Sequence, residues 1–396
     1  MRCLYVDGWP NHAEATFRKL RLNSPAGGWF PALQDLTCFL TESNLPYVAD
    51  LFFSPHLETI SISTSWSFDN EEVLRDLMPV LASTISVLPV SSLQSLNVVV
   101  DHFPLPYFKD SLSSVVLRCG PSLVKFTSPI PISDAAMDHL IQLPHLHTWL
   151  AEGSPPSYST SPLPLVFPPL KEFALLEGDA REWFSLFKRL DHSVSATRNT
   201  TPLSEMKGSL NSLIVMKSPN LVIDISFVSV VQIFRNLVRL QIMAPHHSKD
   251  GGQCTFKLND DDVTELAMAL PQLGNLNLGY PCSKNTCATT AACLLQISIH
   301  CIKLDALQIH FNTTNIVDDF KRISRDPRFQ ELRSFPRCSL QYLDVGTPLA
   351  PLNESSLEIV ASGVINIFPS LASFICYPEN VNWDKLNERI EVLRKG

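Results

Sequence analysis

The chain has 396 residues, a formal net charge of −8 from 31 basic and 39 acidic side chains, and a hydrophobic content of 45%. That balance, with no clustered run of Lys and Arg, excludes a protein built to grip a phosphate backbone, and no apolar stretch approaches the ~18 residues of a membrane-spanning helix. Ten cysteines, with no continuous apolar segment after Met1-Arg2-Cys3-Leu4 to act as a secretion signal, predict reduced thiols and a soluble intracellular chain, cytoplasmic or nuclear.

In chain order, Ala13, Phe17, Leu20 and Leu22 sit among charges and predict a helix or the tail of an earlier repeat, so residues 1–30 form an N-terminal helical cap or the remnant of such a repeat. At Leu33 a pattern begins: an apolar residue, two free positions, a second apolar residue, one free position, a third. It recurs from Leu57, Leu93, Leu123, Leu146, Leu170, Leu210, Leu237, Leu273, Leu304, Leu340 and Leu371, twelve copies at intervals of 23 to 40 residues. An alternating strand sends its apolar side chains to one face, and a unit of this size covers that face only by stacking on its neighbours. The fold class expected for residues 31–378 is therefore α/β, a leucine-rich-repeat solenoid of horseshoe form with a curved parallel sheet inside and helices outside, as one domain.

Proline punctuates the copies. Pro31, Pro55, Pro121, Pro144, Pro168, Pro271 and Pro369 each stand two residues before the first apolar position, where a residue that cannot continue a helix suits a helix-to-strand junction. Between copies, helices are predicted over 43–53, from 70 with Pro79 bending or shortening it, over 107–117, and over 133–143 with Ser133 as N-cap. Further helices are predicted over 179–190, from Asn259 with Asp260, Asp261 and Asp262 on the positive end of its dipole, and from Asn353. Insertions rich in proline or polar residues fall near 152–169, 191–209 and 244–256. Residues 379–396, with Trp383, Leu386, Ile390 and Leu393 on one side, predict a C-terminal capping helix.

The stretch Thr41-Glu42-Ser43-Asn44-Leu45-Pro46-Tyr47 through Leu51-Phe52-Phe53-Ser54-Pro55-His56-Leu57-Glu58-Thr59-Ile60-Ser61-Ile62 carries a helix, a proline and a strand in an order that resembles the leucine-rich-repeat portion of fungal F-box proteins. The resemblance runs from about Phe30 to the end of the chain. It implies a module that recognises a protein substrate for a ubiquitin ligase. No Leu-Pro-led helical segment precedes residue 30, so a ubiquitin-ligase adaptor is a partner only if an F-box lies upstream. The alternative is a free-standing scaffold or inhibitor with no ligase link.

No catalytic constellation is visible: the chain has neither a Gly-rich phosphate loop nor a Gly-x-Ser-x-Gly elbow, and we expect no enzyme and no cofactor. Cys282, Cys287, Cys293 and Cys301, with His300 and Cys254 nearby, are spaced too widely for a zinc knuckle, and Cys293 falls in an apolar run that predicts a buried helix; no metal is expected. The acids at 260–262 read as helix caps, His246-His247 as an exposed loop pair, and His145 and His147 as satisfied polar groups. Asn199, Asn312 and Asn353 head glycosylation tripeptides that matter only in a secreted chain.

The expected partner is a protein, not nucleic acid or membrane. In each copy the third, fifth and seventh positions point away from the core onto the concave sheet face. They are small and polar in early copies (Thr59, Ser61, Ser63, Ser95, Asn97). From the fifth copy to the eighth they become apolar, giving a predicted partner-binding set of Leu150, Glu152, Glu172, Leu176, Ile214, Met216, Arg239, Gln241 and Met243.

Overall fold

The computed structural model describes residues 2–6, 14–23, 25, 29–41, 44–64, 71–100, 108–152, 168–177, 179–192, 204–216, 221–243, 256–279, 287–331, 337–346, 352–376 and 383–395. The chain is α/β, with parallel sheet strands flanked by helices in a solenoid-like repeat. It divides into two compact units, Met1–Glu177 with Thr200–Met206, and Gly178–Asn199 with Lys207–Gly396.

In the first unit the order is β1 (Cys3–Val6), α1 (Glu14–Leu22), β2 (Asp35–Leu40), α2 (Leu45–Phe52), β3 (Thr59–Thr64), α3 (Glu71–Ser86), β4 (Ser95–Val100), α4 (Lys109–Arg118), β5 (Lys125–Thr127), α5 (Asp134–Ile141), β6 (Thr148–Glu152) and β7 (Glu172–Glu177). Each strand pairs in parallel with the next. Strand β1 adds a copy to the twelve that begin with leucine. Its Leu4 and Val6 stand in register with Leu36 and Cys38.

Then come α6 (Ala180–His192), α7 (Ser204–Ser209), β8 (Ser212–Met216), α8 (Ile225–Val231), β9 (Arg239–Met243), α9 (Asp260–Ala269), β10 (Asn275–Asn277), α10 (Ala292–His300), β11 (Ala306–Gln308), α11 (Ile316–Arg325), α12 (Pro327–Glu331), β12 (Tyr342–Asp344), α13 (Glu354–Ile367), β13 (Ser373–Ile375) and α14 (Asp384–Lys395). Strands β8 to β13, all in the second unit, again pair in parallel and in sequence order.

The repeat pattern maps directly onto burial. All twelve first-position leucines are 0% exposed, and the second positions, from Leu36 to Phe374, are at most 2% exposed. Removing a leucine side chain of this kind from water stabilises by about 1.5–3 kcal/mol, so the stripe of leucines is a principal source of cohesion between repeats. The Leu123 copy departs from the pattern at its third position, which is Ser128. This serine is buried, and its hydroxyl oxygen accepts a hydrogen bond from the Ile130 amide at 3.0 Å, which removes the cost of an orphaned polar group.

The constant proline offset has a specific geometric origin. The first-position amide closes a turn onto the carbonyl three residues back, as in Leu33 to Phe30 (3.0 Å), Leu57 to Ser54 (3.2 Å), Leu123 to Gly120 (3.2 Å) and Leu371 to Phe368 (3.1 Å). Proline is thereby the second residue of a β-turn, where its fixed φ is already correct and its missing N–H is not needed.

The expected caps are present. The Ser133 hydroxyl accepts from the Ala136 amide, and Asn353 accepts from the Ser356 amide. Asn259 forms a capping box with Asp262. Helix α3 is not shortened by Pro79; it runs for 16 residues through it, with the ring exposed to solvent. Most of the predicted insertions (153–167, 193–203 and 244–255) lies outside the described residues, although Ser204–Ser209 within the second is helical.

At the carboxyl end, the buried Trp383 stacks on Phe374 with ring centroids 6.4 Å apart. The Asn387 side chain accepts from the Phe374 amide at 3.1 Å and donates to its carbonyl at 2.5 Å. A carboxamide on α14 thus occupies the backbone groups that β13 turns away from β12, closing a sheet edge that would otherwise invite another strand.

Candidate protein-binding faces

Outward-facing positions follow from the strand alternation, and each unit presents its own set. In the first unit, Leu150 on β6 is half-buried and Glu172 on β7 is exposed; the side chain of Glu152 lies outside the described residues. Thr148 stands in register with Glu172 and donates to its carboxylate at 3.4 Å. Leu150 pairs with Ala174, but the register then slips so that Glu152 pairs with Glu177. Leu176 is the extra residue of this bulge. It is half-buried and does not take the place beside Glu152 that a regular repeat assigns to it.

The same face carries an aromatic pair outside the predicted set. Tyr5, 61% exposed on β1, meets Phe39 edge-on with centroids 5.8 Å apart. Phe39 is the seventh position of its copy and was available to the positional rule; Tyr5 was hidden because its copy starts with Met1 in place of leucine.

In the second unit the register aligns three rows across β8 to β10. Ser212, Arg239 and Asn275 form one; Ile214, Gln241 and Asn277 the next; Met216 and Met243 stand side by side at the ends of their strands. Ile214, Met216, Gln241 and Met243 are half-buried and Arg239 is exposed, so all five predicted residues of this unit lie on the outward face.

The middle row continues through Gln308 on β11 to Asp344 on β12. Three amides outside the predicted set occupy this area. Gln241 donates to the Asn275 side-chain oxygen (3.2 Å), Asn277 donates to the Gln308 side-chain oxygen (2.5 Å), and the Asn277 oxygen accepts from the Gly279 amide (2.9 Å). Their signal was in the third and fifth positions of the Leu273 and Leu304 copies, where a search for apolar residues does not look.

At the end of these strands His310 is buried, with Nε2 at 2.7 Å from the Gly279 carbonyl oxygen. Gly279 adopts a φ of 104° and Gly346 one of 75°, the left-handed region that glycine tolerates. Burial pushes the His310 pKa down, against the pull of the Gly279 and Val345 carbonyls.

The residues weighed for metal chemistry take structural roles. Cys293 is buried in α10 and Cys301 caps that helix; burial holds the Cys293 thiol well above its ordinary pKa and pushes Cys301 up to about 12, so both stay protonated. Cys254, Cys282 and His246-His247 lie outside the described residues. Among the described residues no group of three or more His, Cys, Asp or Glu side chains gathers around a common point.

Asp260 does more than complement a dipole. Its carboxylate accepts from the Thr290 amide (2.7 Å) and hydroxyl (2.6 Å), tying the start of α9 to the start of α10. His145 is exposed and His147 half-buried, with the His147 pKa lowered by desolvation and by Lys171 and His145. Among the described residues, no helix is long and apolar enough to cross a membrane. No protein-family model matches the sequence, and no curated protein shows significant similarity to it.

Proposed function

We propose that this chain is a non-catalytic protein-binding module, cytoplasmic or nuclear, whose outward sheet faces hold the partner. The observation that carries the reading is the second unit's cluster of Ile214, Met216 and Met243, three half-buried apolar side chains on the side of the sheet opposite the leucine core. Flexible methionines beside an arginine are characteristic of interfaces. The resemblance to the leucine-rich repeats of fungal F-box proteins directs the proposal further, to substrate recognition for a ubiquitin ligase.

Replacing Ile214, Met216 and Met243 together with Ser tests the docking face. Loss of partner capture from a cell extract, with the far-UV spectrum and melting behaviour retained, is the expected result; normal capture by the folded triple variant refutes it. The ligase link is tested separately. The chain alone should fail to bind a purified F-box adaptor at micromolar concentration, and stoichiometric binding would show that an adaptor-docking element lies within these residues.

A further inference from the structure

We propose that the outward face of the second unit recognises an extended polypeptide segment that is both acidic and apolar, with a carboxylate on Arg239 and Asn275 and apolar side chains on Ile214, Met216 and Met243. The inference rests on reading this face as a docking surface and specifies the chemistry of what docks there.

The internal hydrogen bonds of the face determine what it still offers. The side-chain oxygens of Asn275, Asn277 and Gln308 already accept from Gln241, Asn277 and the Gly279 amide: Asn275 from Gln241, Gln308 from Asn277, and Asn277 from Gly279. Each of these amides therefore has one of the two lone pairs of its oxygen engaged within the protein. Their NH2 groups are the open ends: among the described residues neither Asn275 nor Gln308 donates from its side chain to any partner, and Asn277 has used one of its two N–H groups. With Arg239, whose guanidinium carries donors only, the face has more open donors than acceptors and selects a ligand with acceptors in excess.

Charge points the same way. Arg239 is exposed in register with Asn275, and among the described residues it forms no ion pair. No Asp or Glu occupies the third, fifth or seventh positions of β8 to β11; the middle row reaches one only at Asp344 on β12, which is buried and accepts from the Gly346 amide. Among the described residues, the outward positions of β8 to β11 thus carry an unpaired guanidinium and no carboxylate, in a chain whose net charge is −8. A planar guanidinium beside a carboxamide NH2 suits a carboxylate, which accepts from both.

Arg239 and Met243 are four residues apart on β9, about 13 Å in a strand, with Gln241 and its register partner Ile214 between them. An extended segment running beside β9 turns every second side chain to the face, so an acid at one position would be followed by apolar residues two and four positions along.

The test uses the full chain and a fluorescent nonapeptide, Gly-Ser-Asp-Ser-Leu-Ser-Leu-Ser-Gly, with two control peptides in which Asp becomes Asn or both Leu become Ser. Anisotropy should show saturable binding of the first, about tenfold or greater weakening in each control, and weakening with added salt. Arg239→Gln, a change at an exposed position, should abolish the difference between the Asp and Asn peptides. Equal affinity for those two peptides, persistence of the difference in Arg239→Gln, or no binding of the Asp peptide up to about 1 mM would each overturn the inference. If the Ile214, Met216, Met243 triple variant loses its cellular partners while Arg239→Gln keeps them, the docking face stands and its acidic partner falls.

Discussion

Gly363 lies in the middle of α13, where alanine would ordinarily be the better residue by about 1 kcal/mol. Its backbone has no positive φ to defend. The reason for glycine is space: a Cβ built there would come to 2.8 Å from Cγ and 2.9 Å from Cε1 of Phe320, and closer still to Cδ1. Phe320 is buried on α11, 2% exposed, so its ring has no solvent to retreat into. Forcing a methyl into a packed contact of this kind costs about 1–3 kcal/mol against a propensity gain of about 1 kcal/mol, so Gly363→Ala should destabilise by up to about 2 kcal/mol. Urea unfolding of the variant beside the unmodified chain measures the sign. The mechanism is checked by repeating the substitution in a Phe320→Leu background. With the ring edge gone the propensity term should dominate, and alanine should become neutral or stabilising by up to about 1 kcal/mol. Stabilisation by Gly363→Ala alone would refute the close approach of α11 and α13.

Three further outcomes are expected. Asn259→Ala removes the two bonds that its side-chain oxygen accepts from the Asp261 and Asp262 amides and should cost about 1 kcal/mol in urea unfolding, with Asn259→Gly losing only a few tenths; no loss in Asn259→Ala would refute a side-chain cap. Because burial lowers the His310 pKa below the ordinary imidazole value, the neutral ring is the native form; its contribution is complete above pH ~6.5 and declines as pH falls toward the folded-state pKa. His147 and His300 shift in the same direction, so the measurement is the stability difference between the unmodified chain and His310→Gln from pH 7.5 to 5, and a difference independent of pH would refute the effect. Deleting residues 379–396 removes the Trp383 stack and the Asn387 bonds from β13, and should lower the melting temperature and promote aggregation; unchanged behaviour in light scattering would sink the capping role.

The architecture was legible because one physical requirement, burying the same three positions in almost every repeat, recurs often enough to stand out from a chain rich in apolar residues. Where that requirement is met by a different residue the reading loses hold. The copy at the amino end begins with Met1, so a search keyed to leucine missed β1, although Leu4 and Val6 keep the spacing. Helix α8, Ile225-Ser226-Phe227-Val228-Ser229-Val230-Val231, is dense in β-branched residues that favour strands. Its helical state follows from Asp224, whose carboxylate accepts from the Ser226 and Phe227 amides, and from the burial of Phe227, Val228, Val230 and Val231. Propensity yielded to capping and packing there.

The outward face was legible in position and only partly in chemistry. Alternation alone identified Ile214, Met216, Arg239, Gln241 and Met243 as outward-facing, since a period of two leaves no other choice once the leucines are inside. It could not anticipate the bulge that displaces Leu176, because a register slip depends on both strands of a pair. Nor could it assign meaning to Asn275, Asn277 and Gln308. Side-chain amides are ambivalent in sequence, each offering donors and an acceptor, and only the bonds they form with one another and with Gly279 engage their oxygens and leave more of their N–H groups open. A neutral, polar strip by composition thereby becomes a donor-rich one in the fold, and it does so beside a guanidinium and two methionines. The selectivity of such a face arises from hydrogen bonds that the protein makes to itself, which decide what it has left to offer a partner.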